Sequence, residues 1–248
     1  MYDLARVAEA LSRPSLGGQP WIGAAVTAVF TVGARWLRGV SSSGAIAGAV
    51  VCFLLYVGAG AGAFAALVSV FLLTWITTRL GYQRKQRLGT AQHHEGRTAA
   101  QVLANLAVAA SCAGLSTIVG KAVFLLAASA ALSEAAADTV SSELGQARGE
   151  KARLITTWEE VAVGTDGGVS WAGTFAGIAA ATLVSLVCVL TGFVPLRWLG
   201  SSIAGAVAGM IADSYLGASL ERRGVLNNNW VNLLGTLVAA GVASSLAL

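Results

Sequence analysis

Apolar residues in this chain neither alternate nor recur every third or fourth position; they run together for lengths near twenty residues. A helix rises about 1.5 Å per residue across about 30 Å of hydrocarbon, so runs of roughly 20 apolar residues mark membrane spans. About eight such runs can be drawn, at 21–36, 43–58, 60–78, 100–118, 121–138, 172–194, 198–216 and 230–247. The boundary between the second and third, "YVGAGAGAF", is the least defined. The pattern predicts an all-α polytopic bundle of seven or eight helices over 21–248, with polar loops at 79–99, 145–170 and 218–229. Ahead of it, residues 1–20 read as a short amphipathic segment, "DLARVAEALSR", closed by a Pro/Gly turn, and no secretory signal is expected there.

Composition agrees: 56% of residues are hydrophobic and 11% charged, and the mean hydropathy is +0.71. Soluble domains carry roughly a quarter charged residues, so the chain reads as an integral membrane protein. Cys52, Cys112 and Cys188 stand singly in separate spans, without metal-ligand spacing, and read as apolar packing.

Charge sets the expected orientation. Arg35, Arg38, Arg79, Arg84, Lys85, Arg87, Arg97, Arg148, Lys151, Arg153, Arg222 and Arg223 fall after the first, third, fifth and seventh spans. Only Arg6, Arg13, Lys121 and Arg197 remain for the other side. Cationic loops stay cytoplasmic, which places these loops in the cytosol of a multi-pass inner or plasma membrane protein, with both termini outside. All acids except Asp3 and Glu9 sort to the same face, so one side carries nearly all the chemistry.

The chain also echoes itself. "VSSSGAIAG" (40–48) aligns with "VSWAGTFAG" (169–177), and "ANLAVAASCAG" (104–114) with "VNLLGTLVAAGVAS" (231–244). A separation of about four spans predicts parallel repeats with a site at their interface, although Ala/Gly-rich packing alone can produce such a match. Gly44 and Gly48, Gly173 and Gly177, and Gly205 and Gly209 are spaced for close helix approach.

Acids inside spans are costly and point to function, a polar cavity or a partner. "ADT" (137–139) and "ADS" (212–214) each set an Asp and a hydroxyl at the cytosolic end of a span. Two such carboxylates suit Mg²⁺, which takes one or two carboxylates plus phosphate and water. Asp138 and Asp213 are the expected metal ligands, with Glu134, Glu143 and Glu221 beside them; Glu143 belongs only if the helix breaks near Ser141. The alternative is a structural salt bridge to Arg97 or Arg153. Between the acids, "GTDGGVS" offers backbone N–H groups for an anion just before a span: Gly164, Thr165, Asp166, Gly167, Gly168 and Ser170. It is not a Walker loop, and a plain turn is the competing reading. Lys151, Arg153 and Arg97 are placed to neutralise phosphates. Gln101 and Asn105, and Asn229 and Asn232, are buried amides that need partners. His93 and His94, being adjacent, cannot share one helical face for a metal.

The blocks "QVLAN" (101–105), "ADTVSSELG" (137–145), "RLITTWEEVAVGTDGGVSWAG" (153–173), "ADSYLGASLE" (212–221) and "NNNWVN" (227–232) resemble, in order and spacing, the membrane family containing transmembrane protein 19 and the plant chloroplast phytyl-phosphate kinase. The resemblance implies an enzyme that phosphorylates phytyl or another isoprenyl monophosphate to the diphosphate. CTP or another nucleoside triphosphate would be the donor. Catalysis would rest on Asp138, Asp213, Lys151, Arg153 and Asn105, with Mg²⁺ as cofactor. Membrane lipid is the other expected partner; no nucleic acid is expected, and a homo-oligomer stays open. A nucleotidyltransferase making a CDP-linked lipid would use the same groups, and a lipid or small-molecule transporter would share the repeats and intramembrane acids.

Overall fold

The computed structural model describes residues 19–148 and 151–247. The amphipathic segment expected at 1–20 lies, but for its last two residues, outside them. The fold is an all-α membrane bundle: α1 (Pro20–Trp36), α2 (Ser42–Arg79), α3 (Tyr82–Leu88), α4 (Ala99–Val119), α5 (Val123–Arg148), α6 (Trp171–Leu190), α7 (Leu199–Leu216) and α8 (Asn228–Ser245). Among the described residues, five helical segments are long and apolar enough to cross a bilayer.

One of those five is bent back on itself. In α2, Gly60 takes φ 78°, ψ −168°, outside the helical region, a conformation open only to glycine. A straight helix would hold residues 42 and 75 about 50 Å apart. Instead Trp75 Nε1 donates to the Leu37 carbonyl at 3.0 Å, and Arg79 donates to the same oxygen at 2.6 Å. The helix is therefore a hairpin of two arms, 42–59 and 61–79, each of membrane length. The poorly defined sequence boundary is this bend, and the order of segments matches the eight runs.

The bundle is built around α5, which packs on α4, α6, α7, α8 and the α2 hairpin. Its alanines explain how: Ala127, Ala128, Ala130, Ala131, Ala135, Ala136 and Ala137 are buried and admit neighbours to short distance. Polar pairing adds to this where lipid supplies none. Ser129, Ser202, Ser185 and Ser133 form a buried chain of hydroxyl contacts, each 2.9 Å. Outside, Val29, Ile46, Phe175 and Leu190 are exposed as lipid-facing residues. Trp36, Trp171 and Trp230 are exposed at helix ends, as in an interfacial belt.

At 26 residues, α5 is about 39 Å long and outruns the hydrocarbon. Its far end meets the loops predicted to share one face: Gly81 abuts Ala147, Gly164 abuts Thr90, and Gly167 abuts Ala218. That end also holds a small antiparallel sheet, order β2-β1-β3, from Ala152–Leu154 (β1), Glu160–Val161 (β2) and Gly168–Val169 (β3).

The repeated blocks share local structure. Ser41 Oγ accepts from Gly44 N at 3.2 Å, and Ser170 Oγ from Gly173 N at 3.1 Å, each capping the helix that follows. Each preceding valine is backbone-paired with an arginine, Val40 with Arg97 and Val169 with Arg153. The glycine pairs divide. Gly177 and Gly209 press on neighbouring backbone, but Gly48 does not pack against a helix, since a Cβ there would meet nothing within 4 Å.

Candidate functional site

Asp138 leaves the middle of α5, and Asp213 the last turn of α7. The two carboxyls reach hydrogen-bonding distance of one another. Both line a cleft of about 390 Å³ among the loops. Beyond Asp213 the chain enters a π-helical turn, Gly217–Glu221, of a kind that concentrates at functional sites. This turn brings Glu221 into the same cleft, with Asp166 of the glycine loop nearby.

A chain of amides holds Asp213 from the other side. With the Asn232 amide turned to suit its neighbours, its nitrogen donates to Asp213 Oδ2 at 3.3 Å and to the Asn228 carbonyl at 3.0 Å. Its oxygen accepts from Asn105 Nδ2 at 3.0 Å, and Asn105 Nδ2 also donates to the Gln101 carbonyl at 2.9 Å. Asn105 is buried, so both its donor contacts are protein atoms. Gln101 meets Gln92 through its side chain at 3.2 Å. The amide periodicity at 101/105 thus resolves into a link across α4, α8 and α7. Asn229, singled out with them, does not line the cleft; Asn228 does.

The cleft's cation is Arg97. Its Nη2 donates to Thr139 Oγ1 at 3.3 Å, and its backbone is fixed by bonds between Ser41 N and Arg97 O (2.9 Å) and between Arg97 N and Gly39 O (3.1 Å). Desolvation pulls the Arg97 pKa down, while the charges of Glu143 and Asp138 oppose that shift. Arginine starts so high that the group stays charged.

The loop 164–168 forms another wall, joined by Ser170. Gly164 and Gly167 have φ of +91° and +71°, and a Cβ at Gly167 would collide with Ala218; these glycines let the loop lie flat on the π turn. Not every N–H faces outward as an anion nest would require. Thr165 N donates to the Ala162 carbonyl (3.1 Å) and Gly168 N to the Thr165 carbonyl (2.8 Å).

Four sequence expectations are corrected. Lys151 and Arg153 do not line the cleft: Lys151 pairs with Glu160 at 3.2 Å in solvent, and Arg153 Nη1 donates to the Trp158 carbonyl at 2.9 Å. Strand pairing fixes Arg153 in this direction, and Lys151 lies just ahead of the same strand. The helix does not break near Ser141, since α5 continues to Arg148. Glu143 lines the cleft even so, and it pairs there with Lys85 of α3 and accepts from Thr78 Oγ1 at 3.0 Å. Glu134 lies beneath the cleft, 1% exposed, where Gly209 and Gly235 leave room for it. Its Oε1 has no hydrogen-bond partner among the described residues.

Lys85 escaped the sequence reading, where it counted only as a topogenic charge. It is 1% exposed and donates to the Thr77 and Thr78 carbonyls at 3.0 and 2.7 Å. It thereby caps the α2 hairpin and ties it to α5. Gln92, Thr90 and Asn228 were also missed as cleft residues, having no periodic signal.

Next to the polar cleft runs a second, mostly apolar groove of about 270 Å³ between α1 and the α2 hairpin. Phe30, Ala34, Gly48, Leu67, Val70 and Phe71 are among its walls, and Gln92, Arg97, Gln101 and Asn105 belong to both spaces. His93 and His94 sit at its rim, with His94 Nε2 3.2 Å from Tyr82 Oη.

Among the described residues no three His, Cys, Asp or Glu side chains are grouped to hold a metal by themselves. Two carboxyls in contact need a proton or a cation between them. The atoms of the cleft able to ligate a cation are carboxylate, hydroxyl and carbonyl oxygens, with no thiol or imidazole among its lining, which fits Mg²⁺ sharing its shell with phosphate and water. Asp138 and Asp213 are the residues that fit; Glu221 is next.

A family model described as "Integral membrane protein DUF92" matches residues 25–240. Among curated proteins, the chain is 36% identical over 201 residues to an uncharacterized membrane protein of Methanocaldococcus jannaschii, covering 81% of this chain and 83% of that one. It is 32% identical over 226 residues to "Protein VTE6, chloroplastic" of Arabidopsis thaliana, covering 85% and 68%. To an uncharacterized membrane protein of Synechocystis it is 28% identical over 202 residues, covering 78% and 77%. No solved structure matches the chain.

Proposed function

The chain belongs to the DUF92 family of integral membrane proteins, and from that premise we propose that it is a membrane-embedded isoprenyl-phosphate kinase. It would transfer the terminal phosphoryl group of a nucleoside triphosphate, CTP by preference, to phytyl or a related isoprenyl monophosphate. One observation carries the reading: Asp138 and Asp213, from separate helices, meet in one cleft that also holds Arg97 and the 164–168 loop. Similarity to the chloroplast protein VTE6 and the sequence blocks shared with the phytyl-phosphate kinase family support it.

Phosphoryl transfer asks for positioning and charge stabilisation more than covalent help. Bound at Asp138 and Asp213, Mg²⁺ would neutralise the donor's phosphates. Arg97 would hold the acceptor phosphate at the mouth of the apolar groove. Asn232 and Asn105 would keep Asp213 in one orientation, as outer partners of metal ligands do. An oxygen of the acceptor phosphate attacks the terminal phosphorus as its bond to the bridging oxygen breaks, giving the isoprenyl diphosphate and the nucleoside diphosphate. The acceptor is largely ionised near neutral pH, so no base is needed. The active face would be the cytosolic one, following the positive loops.

Transport fits less well. Beneath the cleft, α5 is buried without interruption from Leu126 to Ala137, and the polar cleft lies at the end of the bundle where the loops gather. The test is a screen of purified protein with phytyl or geranylgeranyl monophosphate, Mg²⁺ and each of the four triphosphates, read by mass spectrometry. A diphosphate product is expected. A CDP-linked lipid would assign the chain to nucleotidyl transfer instead, and no product with any pair would overturn the reading.

A further inference from the structure

The apolar groove is not needed to hold a nucleotide or a metal, and its shape asks for another occupant. Its lower walls are Phe30 of α1, Gly48 of the first hairpin arm, and Leu67, Val70 and Phe71 of the second. Its upper end is the Arg97–Asn105 edge of the polar cleft. A single molecule with a charged head and a greasy chain can therefore fill both spaces without a break, its head at Arg97. From Thr78, beside Glu143 at the polar end, to Leu67 is about 16 Å along the arm.

Gly48 has a distinct place here. One turn nearer the loops, a Cβ at Gly44 would strike the Arg97 carbonyl, so that glycine serves packing. At Gly48 a Cβ would meet nothing within 4 Å, yet the residue lines the groove. Its missing side chain keeps space open inside the groove.

Resting on the kinase reading above, we propose that this groove seats the head-proximal units of the isoprenyl tail and that Gly48 sets how much chain the site accepts. A side chain at 48 shortens the groove from within, without disturbing a helix contact. Short acceptors reach Arg97 without passing that level; long ones do not. One extra or missing methylene in an apolar site is worth roughly 10- to 200-fold in discrimination.

Two measurements test this on the full chain in nanodiscs. In the first, geranylgeranyl monophosphate bearing a diazirine on its tail is photolysed and the labelled peptides mapped. Label is expected at 42–48 and 67–75, and lost in Gly48→Phe. It should be kept in Gly33→Phe, a control where a Cβ also meets open space but which does not line the groove. In the second, kcat/KM is compared for geranylgeranyl and isopentenyl monophosphate. Gly48→Phe should lower the first by roughly tenfold relative to the second; if that variant does not fold, Gly48→Val replaces it with a smaller effect of the same sign. Groove labelling without any diphosphate product would leave the tail site standing and remove the kinase reading. Diphosphate formation with label elsewhere, with equal labelling by a diazirine phospholipid, or with both acceptors slowed alike in Gly48→Phe would overturn the tail site while sparing the kinase.

Discussion

Asn105 of α4 and Asn232 of α8 meet in the folded chain: Asn105 Nδ2 donates to the Asn232 side-chain oxygen at 3.0 Å. Asn232 passes the restraint on to Asp213. Asn232→Leu and Asn105→Leu should therefore weaken Mg²⁺ dependence as well as turnover. Outer partners of metal ligands are worth roughly 10- to 100-fold. A Mg²⁺ titration of diphosphate formation checks this: a purely structural role would lower the plateau without moving the half-saturating Mg²⁺.

Asp138→Asn and Asp213→Asn keep the size of each side chain and remove its charge. Turnover should fall by roughly two to three orders of magnitude in each, with normal insertion and unchanged elution in detergent. The double variant should be little worse than either single one, because residues acting as a unit are not additive. Chelating the divalent ion should reproduce the loss in the parent protein and do almost nothing further to the variants.

Arg97 joins the polar cleft to the apolar groove and is tied by its backbone to Gly39 and Ser41, just ahead of the α2 hairpin. Arg97→Lys retains the charge but loses the planar fork that grips phosphate at two points. The expected result is a KM for the isoprenyl phosphate raised roughly tenfold, with a smaller change in kcat. Substrate-saturation kinetics with the triphosphate held constant measure it; an unchanged KM with a lowered kcat would move Arg97 to the transferred phosphoryl group.

These residues also show where sequence reading succeeds. Asp138 and Asp213 were legible because charge is rare in lipid-length runs, so each stood out, and their spacing within helices fixed which face they shared. The amides stood out for the same reason. The hairpin boundary at Gly60 was visible as a run of small residues, although no periodicity said that the chain turned there. Lys151 and Arg153 misled because strands of two or three residues carry no readable period, yet their pairing decides which way each side chain points. Lys85 was hidden by its distance, since its partner lies 58 positions away; a cation in a basic loop looks the same whether solvated or buried.

Lys85 should matter more for stability than any other basic residue of its loop. Removing one member of a buried ion pair strands the other, at a cost of about 3–5 kcal/mol, and Lys85 also caps two helix carbonyls. Lys85→Met should lower the thermal unfolding midpoint in detergent clearly, whereas Arg87→Met should hardly move it. Glu143→Gln should cost less, because Lys85 keeps its two carbonyl acceptors and the glutamine oxygen can still accept from the Thr78 hydroxyl. If Lys85→Met and Arg87→Met behave alike, the pair is not formed in the folded protein.

The bend at Gly60 has a consequence for sidedness that separates the hairpin from a single long helix. If α2 reverses there, residues 41 and 79 share one face of the membrane and residue 61 lies on the other. The parity of every later segment depends on that reversal. In a background lacking Cys52, Cys112 and Cys188, a cysteine at Ala61 should react with an impermeant maleimide added outside intact cells. One at Arg87 should react only after the membrane is opened, since its loop belongs with the positive charges kept inside. Gly60→Ala should cost about 1–3 kcal/mol, because a Cβ is forced into a backbone region reserved for glycine. Labelling of both cysteines from the same side would mean that α2 passes once, and the cleft built from Asp138 and Asp213 would then need another arrangement of helices to close it.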